Sequence, residues 1–156
     1  MIRKADSSDI SHLVILNSQV ENLHLKLFPE VFKVPDIRLV EEWFSEILGS
    51  DNTCVLIAEG DGTALGYLTV RKLHKPEHLF KTETSCAYID QVCIHHDHRR
   101  KGVFKSLLER AAEEAVLWGM NKLELDVWTD NSVAVNSFEK SGFKTCNQKM
   151  FLSLDQ

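Results

Sequence analysis

An apolar segment, 85–94, runs directly into a basic, glycine-containing segment and then into a predicted helix. Segment 85–94 is apolar at odd and even positions alike, apart from Asp90 and Gln91, as expected of a central strand covered on both faces. Over 102–119, apolar residues repeat at helical spacing and charged residues occupy the other side. A buried strand followed by such a helix predicts an α/β protein.

The remaining elements are predicted from the same periodicities and from turn and cap signals. Along the chain they give the order β-α-α-β-β-β-α-β-α-β, a mixed sheet with helices on both faces. The other predicted strands are 2–5, 54–59, 65–73, 123–128 and a final strand or pair of strands over 143–154. The other predicted helices are 10–27, one that Pro35 and Asp36 open and Gly49 ends, and 131–141.

Length and charge limit the classes of protein that fit this chain. Its 156 residues predict one domain over 1–156 with its own core. A net charge of -5 argues against a broad basic face for nucleic acid. Four cysteines without a C-x-x-C pair indicate reduced thiols, and no segment has the apolar length of a membrane span or a signal peptide. We therefore expect a cytoplasmic protein with no nucleic-acid or membrane partner.

The basic segment before the helix is predicted to bind an anion. Arg99, Arg100 and Lys101 place three positive charges at a helix start in an otherwise acidic chain. Unpaired amides at a helix N-terminus converge on one point, and the helix dipole adds positive charge there. A pyrophosphate is the natural occupant, because each charge-assisted hydrogen bond contributes about 1.5 to 3 kcal/mol. The alternative is a solvated charge run.

Two motifs carry a resemblance to a known family. Segment 99–104 is similar to the pattern Q/R-x-x-G-x-G/A that forms the phosphate loop of the GNAT superfamily of acyl-CoA-dependent N-acetyltransferases. Segment 131–143 resembles the same family's N-x-x-A-x-x-x-Y-E-K-x-G-F, with Asn131, Gly142 and Phe143 in register. The resemblance implies the GNAT fold: a mixed central sheet of six to seven strands, helices on both faces, and a splayed central strand.

The resemblance also implies acetyl-CoA as co-substrate, with no metal. A bulge in strand 85–94 would let pantetheine bind the backbone of the strand in the gap that the splay opens. An N–H near Val92 would stabilise the tetrahedral oxyanion. The residues implied to bind the cofactor are Val92, Cys93, Ile94, Arg99, Arg100, Lys101, Gly102, Val103, Phe104, Lys105, Asn131 and Ser137.

Two residues depart from the family pattern. Phe104 stands where the family has its last small residue, and its ring is compatible with the loop only if it points into the protein. Phe138 stands where many members have a tyrosine that is thought to protonate the departing thiolate, and it cannot donate a proton. A thiol pKa of about 8.5 still makes CoA a tolerable leaving group without an acid, so we expect a slower or differently assisted enzyme.

The attacking amine must lose a proton, which calls for a carboxylate or a chain of waters near the bulge. Asp90 is the candidate, since burial in an apolar strand would make it a stronger base, and Asp126 is the reserve candidate. The alternative for Asp90 is a structural carboxylate paired with a neighbouring strand or loop.

Other polar and aromatic residues also have two interpretations. His95, His96 and His98 with Asp97 resemble a metal cluster, but adjacent residues point in different directions, so we expect no metal site. Cys93 is expected to be a core thiol rather than a nucleophile, because apolar residues flank it and no base lies near it in sequence.

Aromatic residues of the first two helices are candidates for an acceptor pocket. Phe28 and Phe32 fit a pocket and a core equally, whereas the spacing of Trp43 and Phe44 favours the core. His24 could face the acceptor, although a surface or capping role is favoured.

We therefore predict an N-acetyltransferase that moves an acetyl group from acetyl-CoA to a primary amine of a small molecule or peptide by direct attack in a ternary complex. The alternative is a catalytically weak acyl-CoA-binding regulatory module, and a third hypothesis is an unrelated nucleotide-binding α/β protein. The acceptor would depend on segments 24–36 and 74–84. The resemblance makes a homodimer paired through the C-terminal strands an alternative to a monomer.

Overall fold

The computed structural model describes residues 1–154 and divides the chain into two compact units. The first unit is Met1–Asp126, and the second begins at Val127. The first unit contains β1 (Ile2–Lys4), α1 (Ile10–Leu27), α2 (Ile37–Leu48), β2 (Thr53–Gly60), β3 (Thr63–Lys75), β4 (Thr84–Ile94), α3 (Val103–Leu117) and β5 (Leu123–Glu124). The second contains α4 (Ser132–Lys140). The prediction of one domain over 1–156 stays a prediction.

The five strands form one mixed sheet in the order β1-β2-β3-β4-β5. Neighbours from β1 to β4 are antiparallel, and β5 is parallel to β4. The mixed sheet with helices on both faces is confirmed. The predicted count of six to seven strands is not reached within residues 1–154.

The difference in strand count comes from the C-terminal part of the chain. The strand predicted over 123–128 is two residues long, and the predicted strand or pair of strands over 143–154 is absent from the described residues. Met150, Phe151 and Leu152 are almost fully exposed, so the apolar residues that suggested a strand bury no face. Alternation predicts a strand only where one face meets an apolar surface.

The sheet has a core on each face. On one face, α1 and α2 pack through Leu13, Leu16 and Phe44 against inward-pointing residues of the strands, among them Val55 and Tyr67. On the other face, α3 packs on β2 and β3, and its buried residues include Leu107, Ala111 and Ala115. Among the helices of residues 1–154, none has both the length and the apolar character needed to cross a membrane.

Local signals set the helix boundaries as the sequence predicts. The Asp36 carboxylate accepts a 2.9 Å hydrogen bond from the Arg38 N–H at the start of α2, and Gly49 caps its other end. Ahead of α1, Asp6 and Asp9 form a reciprocal capping box. These caps satisfy helix-end groups that would otherwise need water.

Candidate active site

A bulge interrupts the pairing of β3 with β4. Thr69 and Val70 are consecutive in β3, yet they face Gln91 and Ile89 of β4, so Asp90 is an extra residue. In a regular strand, adjacent side chains point to opposite faces. Here Asp90 and Gln91 line the same cleft on the face of the sheet that carries α1 and α2. The predicted bulge in the strand before the basic loop is therefore present.

Beyond the bulge, β4 separates from β5. The parallel pairing is limited to Ala87 with Leu123 and Tyr88 with Glu124, while β4 continues to Ile94. Within residues 1–154, no strand pairs with this edge of β4 after Tyr88. The predicted splayed central strand is confirmed, and Val92, Cys93 and Ile94 lie in the splayed stretch.

The basic loop after β4 leads into α3 through two left-handed residues. Arg100 has φ 59° and Gly102 has φ 84°, and a Cβ built on Gly102 would meet nothing within 4 Å. The first bond of α3 runs from the Ser106 N–H to the Gly102 carbonyl at 3.0 Å, so the amides of the first turn have no acceptor within the helix. Open space around Gly102 lets a phosphate approach those amides.

The basic side chains of the loop are exposed. Arg99, Arg100 and Lys101 all face solvent, and the Arg99 Nε donates to the Ile94 carbonyl at 3.3 Å, which ties the loop to the end of β4. Lys105 is also exposed and lies 3.8 Å from Glu109, whereas Val103 is half-buried. The loop therefore offers an accessible cluster of positive charge beside open backbone. Phe104 is half-buried, so its ring lies partly within the protein.

The histidines of the loop lie closer together than the sequence analysis expected. The rings of His95 and His96 stack with centroids 4.4 Å apart, and single ligand atoms of His95, His96 and Asp97 lie within 4.8 Å of one another. These adjacent side chains therefore do not point apart as expected, because a turn of 3-10 helix begins at His96. The His95 Nδ1 accepts a 3.3 Å hydrogen bond from the Asp97 N–H and so caps that turn. That no metal binds stays a prediction.

Asp90 is paired rather than buried. The Arg71 Nε donates to both carboxylate oxygens of Asp90 at 3.0 Å, and the Asp90 side chain is 30% exposed. The expected burial of Asp90 is therefore wrong, because the bulge turns it toward an open cleft and a cross-strand arginine. This pairing with a neighbouring strand is the structural alternative that the sequence left open.

The reserve candidate, Asp126, is bound to a tyrosine. The Tyr88 hydroxyl donates a 2.6 Å hydrogen bond to the Asp126 carboxylate. Burial, and then the neighbouring carboxylate, raise the pKa of Tyr88 to about 12. The Arg71 guanidinium lies over the Tyr88 ring, 5.0 Å from its centroid, so one arginine contacts both Asp90 and Tyr88.

A buried polar network on the same face was missed by the sequence analysis. The Tyr67 hydroxyl donates to the Gln91 Oε1 at 2.8 Å, and the Asn17 Nδ2 donates to both of these groups at 3.1 Å. The Gln91 N–H in turn donates to the Thr69 hydroxyl at 3.0 Å. Burial raises the pKa of Tyr67, which keeps its hydroxyl protonated as a donor. The network ties α1 to the bulge.

Thr69 and Gln91 of this network border a cleft between α2 and the bulge. Its volume is about 380 Å³, within the range of small-molecule sites. Trp43 and Ile47 of α2 form one wall, and Arg71 and Asp90 supply its charged groups. The cleft is lined by Trp43, Ile47, Thr53, Thr69, Arg71, Asp90 and Gln91.

A model of the acetyltransferase (GNAT) family matches residues 17–143, which is most of the chain and includes both the bulge and the basic loop. The chain belongs to the GNAT acetyltransferase family. Among curated proteins, GCN5-related N-acetyltransferase 6, chloroplastic, of Arabidopsis thaliana is 37% identical over 68 residues. The match covers 44% of this chain and 24% of the length of the plant protein.

Solved structures share the fold of this GNAT chain at low sequence identity. A tetramutant of the BH1408 protein from Bacillus halodurans has a TM-score of 0.92 at 21% identity, over 99% of both chains. An aminoglycoside antibiotic 6'-N-acetyltransferase from Acinetobacter haemolyticus has a TM-score of 0.79 at 15% identity, over 100% of this chain and 99% of its own. An aminoglycoside N-acetyltransferase in complex with CoA has a TM-score of 0.74 at 18% identity, over 100% of both chains.

In this GNAT chain the Cys93 thiol belongs to the core. The side chain is buried, and its Sγ donates to the Leu16 carbonyl at 3.1 Å. Burial raises the pKa of Cys93 to about 11, so the thiolate that a nucleophile needs is disfavoured. Cys93 is paired with Tyr67 of β3, and the part of its backbone in cofactor binding stays a prediction.

The aromatic candidates divide between core and cleft. Phe44 is fully buried, as its spacing predicted, while the neighbouring Trp43 is half-buried and reaches the cleft as well as the core. Phe28 is buried at the end of α1, and the His24 ring stacks on Phe32 at 4.6 Å. Neither Phe28 nor Phe32 is among the described residues that line the cleft.

The second unit carries the other family motif. The Asn131 side chain caps α4 by accepting from the Ala134 N–H at 3.2 Å, and the Ser137 hydroxyl donates to the Val133 carbonyl at 2.8 Å. Phe138 is buried in α4, with its ring 5.4 Å from that of Phe143. The motif thus has a structural role in starting and packing this helix, and the cofactor contacts of Asn131 and Ser137 stay predictions.

Proposed function

We propose that this protein is an N-acetyltransferase that moves an acetyl group from acetyl-CoA to the primary amine of a small molecule or peptide. The observation that carries the proposal is the open edge of β4, which leads from the bulge at Asp90 to the left-handed Gly102 at the start of α3. A strand edge offers N–H and C=O groups in a row, and a helix start offers amides to an anion. Pantetheine with its pyrophosphate has the matching groups in that order.

The phosphate end of CoA is proposed to bind the basic loop. Arg99, Arg100 and Lys101 are exposed and supply positive charge, and Gly102 leaves the first-turn amides of α3 accessible. Val103, Phe104 and Lys105 belong to that first turn, where helix geometry leaves backbone amides without intrahelical acceptors. On the resemblance of the second motif alone, Asn131 and Ser137 are proposed as further contacts.

The acetyl group is proposed to lie beside the bulge. The backbone of Val92, Cys93 and Ile94 would hydrogen-bond pantetheine, and the N–H near Val92 would hold the oxyanion of the tetrahedral intermediate. Removing one such donor typically costs about 2.7 to 4 kcal/mol of transition-state stabilisation. Since the side chain of Cys93 is buried in the core, no acyl-enzyme step is part of the proposal.

The reaction is direct transfer. The unprotonated amine attacks the thioester carbonyl carbon, the C–S bond breaks, and CoA leaves as its thiolate. An acceptor that arrives as an ammonium first loses one proton to water in the open cleft, and after attack the nitrogen loses a second proton to water to give the neutral amide. The thiolate takes one proton from water, because Phe138 has no hydroxyl to offer. Asp90 is proposed to bind the incoming ammonium rather than to act as a strong base, since Arg71 bonds both of its oxygens.

Calorimetry with acetyl-CoA, followed by dephospho-CoA, tests the binding step. We expect micromolar binding of acetyl-CoA and weaker binding when the 3′-phosphate is lost. Incubation with an amine panel, read by mass spectrometry as a gain of one acetyl group, tests the transfer step. An absence of heat and of thermal stabilisation with both cofactors would contradict the proposal at its first step.

A second candidate is a catalytically weak acyl-CoA-binding module that regulates a partner. Phe138 favours it, because the chain lacks the hydroxyl with which many family members are thought to protonate the thiolate. The two candidates differ in turnover: binding without acetylation of any panel amine supports the regulatory module, and acetylation of one amine excludes it.

A further inference from the structure

We propose that the acceptor is a small amino-carboxylate, such as a free amino acid, and that Arg71 recognises its carboxylate while Asp90 receives its ammonium. This rests on the proposed function and narrows the class of amine that the same site accepts. Among the described residues that line the cleft, the charged ones are Arg71 and Asp90, so the cleft has no net formal charge.

A neutral ion pair selects against a simple cationic amine. An ammonium close enough to bond Asp90 also approaches the Arg71 guanidinium, which bonds the same carboxylate at 3.0 Å. The repulsion between the two cations offsets much of the attraction to the carboxylate. A zwitterion does not meet this conflict, because its own carboxylate can face the arginine.

The pairing geometry of Arg71 leaves room for a second carboxylate. Both hydrogen bonds from Arg71 to Asp90 come from Nε, which is on the inner side of the guanidinium. The two Nη groups carry the remaining four N–H donors of the five that an arginine has, in the fork geometry that fits a carboxylate. The Arg71 side chain is 35% exposed, so a ligand in the cleft can reach it.

A cation–π contact restrains the guanidinium. It lies over the Tyr88 ring, 5.0 Å from the centroid, and the Tyr88 hydroxyl is itself held by Asp126 at 2.6 Å. An arginine held on two sides loses little further conformational freedom when it binds a ligand. Arg71 is therefore a preorganised specificity-determining residue.

The size of the cleft favours a small acceptor. A volume of about 380 Å³ is at the lower end of the range for ligand sites and accommodates a molecule of amino-acid size. Trp43 and Ile47 give an apolar wall for the acceptor's side chain. An apolar or aromatic amino acid fits this wall and the charged pair together.

The test compares matched pairs of acceptors that differ only in the carboxylate: phenylalanine against phenethylamine, and leucine against isoamylamine. At saturating acetyl-CoA, we expect kcat/KM for the amino acid to exceed that for its decarboxylated partner by about 10- to 100-fold, the effect of one bidentate charge-assisted contact. In Arg71→Gln this preference should disappear or reverse, and Arg71→Lys should retain part of it. Each ratio is measured within one protein, so it does not depend on the folded fraction.

Arg38→Gln is the matched control, because Arg38 also pairs with an aspartate but is 84% exposed at the start of α2, outside the cleft. Its preference should equal that of the wild type. Turnover without a carboxylate preference, or a preference that survives in Arg71→Gln, overturns this inference and leaves the proposed function standing. Acetyl-CoA binding without turnover of any acceptor overturns the proposed transfer itself.

Discussion

Gly66 lies so close to Cys93 that a Cβ built on residue 66 would stand 2.6 Å from the Cys93 carbonyl oxygen. The oxygen is backbone, so it can yield only if β3 and β4 move apart beside the bulge. We expect Gly66→Ala to lower the free energy of unfolding by about 1 to 3 kcal/mol, the usual cost of overpacking, and to weaken acetyl-CoA binding. Urea denaturation and calorimetry measure the two effects.

Gly60→Ala is the control for this prediction. The nearest atom to its added Cβ is the Leu65 Cδ1 at 3.0 Å, which belongs to a flexible side chain that can move. We expect a loss of less than about 1 kcal/mol there. Equal losses for Gly60→Ala and Gly66→Ala would contradict the role of the close strand contact.

Gly102→Val should abolish acetyl-CoA binding. Gly102 has φ 84° with open space around it, so a β-branched side chain both strains the backbone and fills the approach to the first turn of α3. Gly119 at the other end of α3 has φ 74° and equally open surroundings. Gly119→Val should therefore lose a similar stability, about 1 to 2 kcal/mol, without losing affinity. Calorimetry with unchanged affinity in Gly102→Val would refute the phosphate-loop assignment.

One of the four thiols should react in the folded protein. Cys146 is exposed, whereas Cys54, Cys86 and Cys93 are buried. Burial raises the pKa of Cys54 and of Cys93 to about 11, so at pH 8 their thiolates are scarce as well as inaccessible. With an aromatic disulfide reagent we expect one thiol to titrate quickly in buffer and four in urea. Cys146→Ser should remove the fast phase, and a second fast thiol would contradict the buried positions.

Stability should fall in acid partly through Glu124. Hydrogen bonds from Lys122 and Lys75 lower the pKa of Glu124 from 4.5 to about 2. Between these pH values the unfolded chain binds more protons than the folded protein. The contribution of Glu124 to the free energy of unfolding is therefore complete above pH 4.5 and is lost as the pH falls toward 2. We expect Glu124→Gln to cost about 1 kcal/mol at pH 7, since both lysines are largely exposed.

Urea denaturation from pH 7 down to pH 3 measures this difference, which should shrink as the pH falls. Glu113→Gln serves as the control, because Glu113 forms an exposed pair with Arg110 within one helix. Its effect should be near zero throughout. A cost of Glu124→Gln that does not change with pH would show that the lost stability is not electrostatic.

The helices could be predicted from the sequence because their determinants are local. Asp36 and Gly49 mark the ends of α2 within one turn of the residues that they cap, and the apolar stripe of α3 has a clear helical period. The prediction of a strand over 143–154 was wrong for the opposite reason. Whether alternating residues form a strand depends on a neighbouring strand and a buried face, and neither is encoded in the segment itself.

The candidate site could be predicted only where it follows the chain. The basic loop is one continuous segment, and its glycine is visible in the sequence. The pairing of Arg71 with Asp90 depends on the register of two strands and on one extra residue, so the sequence suggested burial where the structure has an ion pair. The residues of β4 alone do not identify Arg71 as the partner of Asp90.

The network of Asn17, Tyr67 and Gln91 was missed because its members are far apart in sequence: the separation of Asn17 from Gln91 is 74. A signal existed. Asn17 follows Leu13 by four positions on the buried stripe of α1, and Gln91 interrupts an apolar strand. A polar residue on each of two buried surfaces indicates a shared hydrogen bond, since an unpaired buried amide is costly.

The extra residue at Asp90 makes the number of residues in β4 more constrained than their identity. Removing one residue between Ile89 and Val92 would restore regular pairing with β3 and leave one side chain, rather than two, facing the cleft. Substitution at Arg71, Asp90 or Trp43 therefore changes which acceptor the cleft fits, whereas a change in the length of β4 beside the bulge changes how many side chains face the cleft.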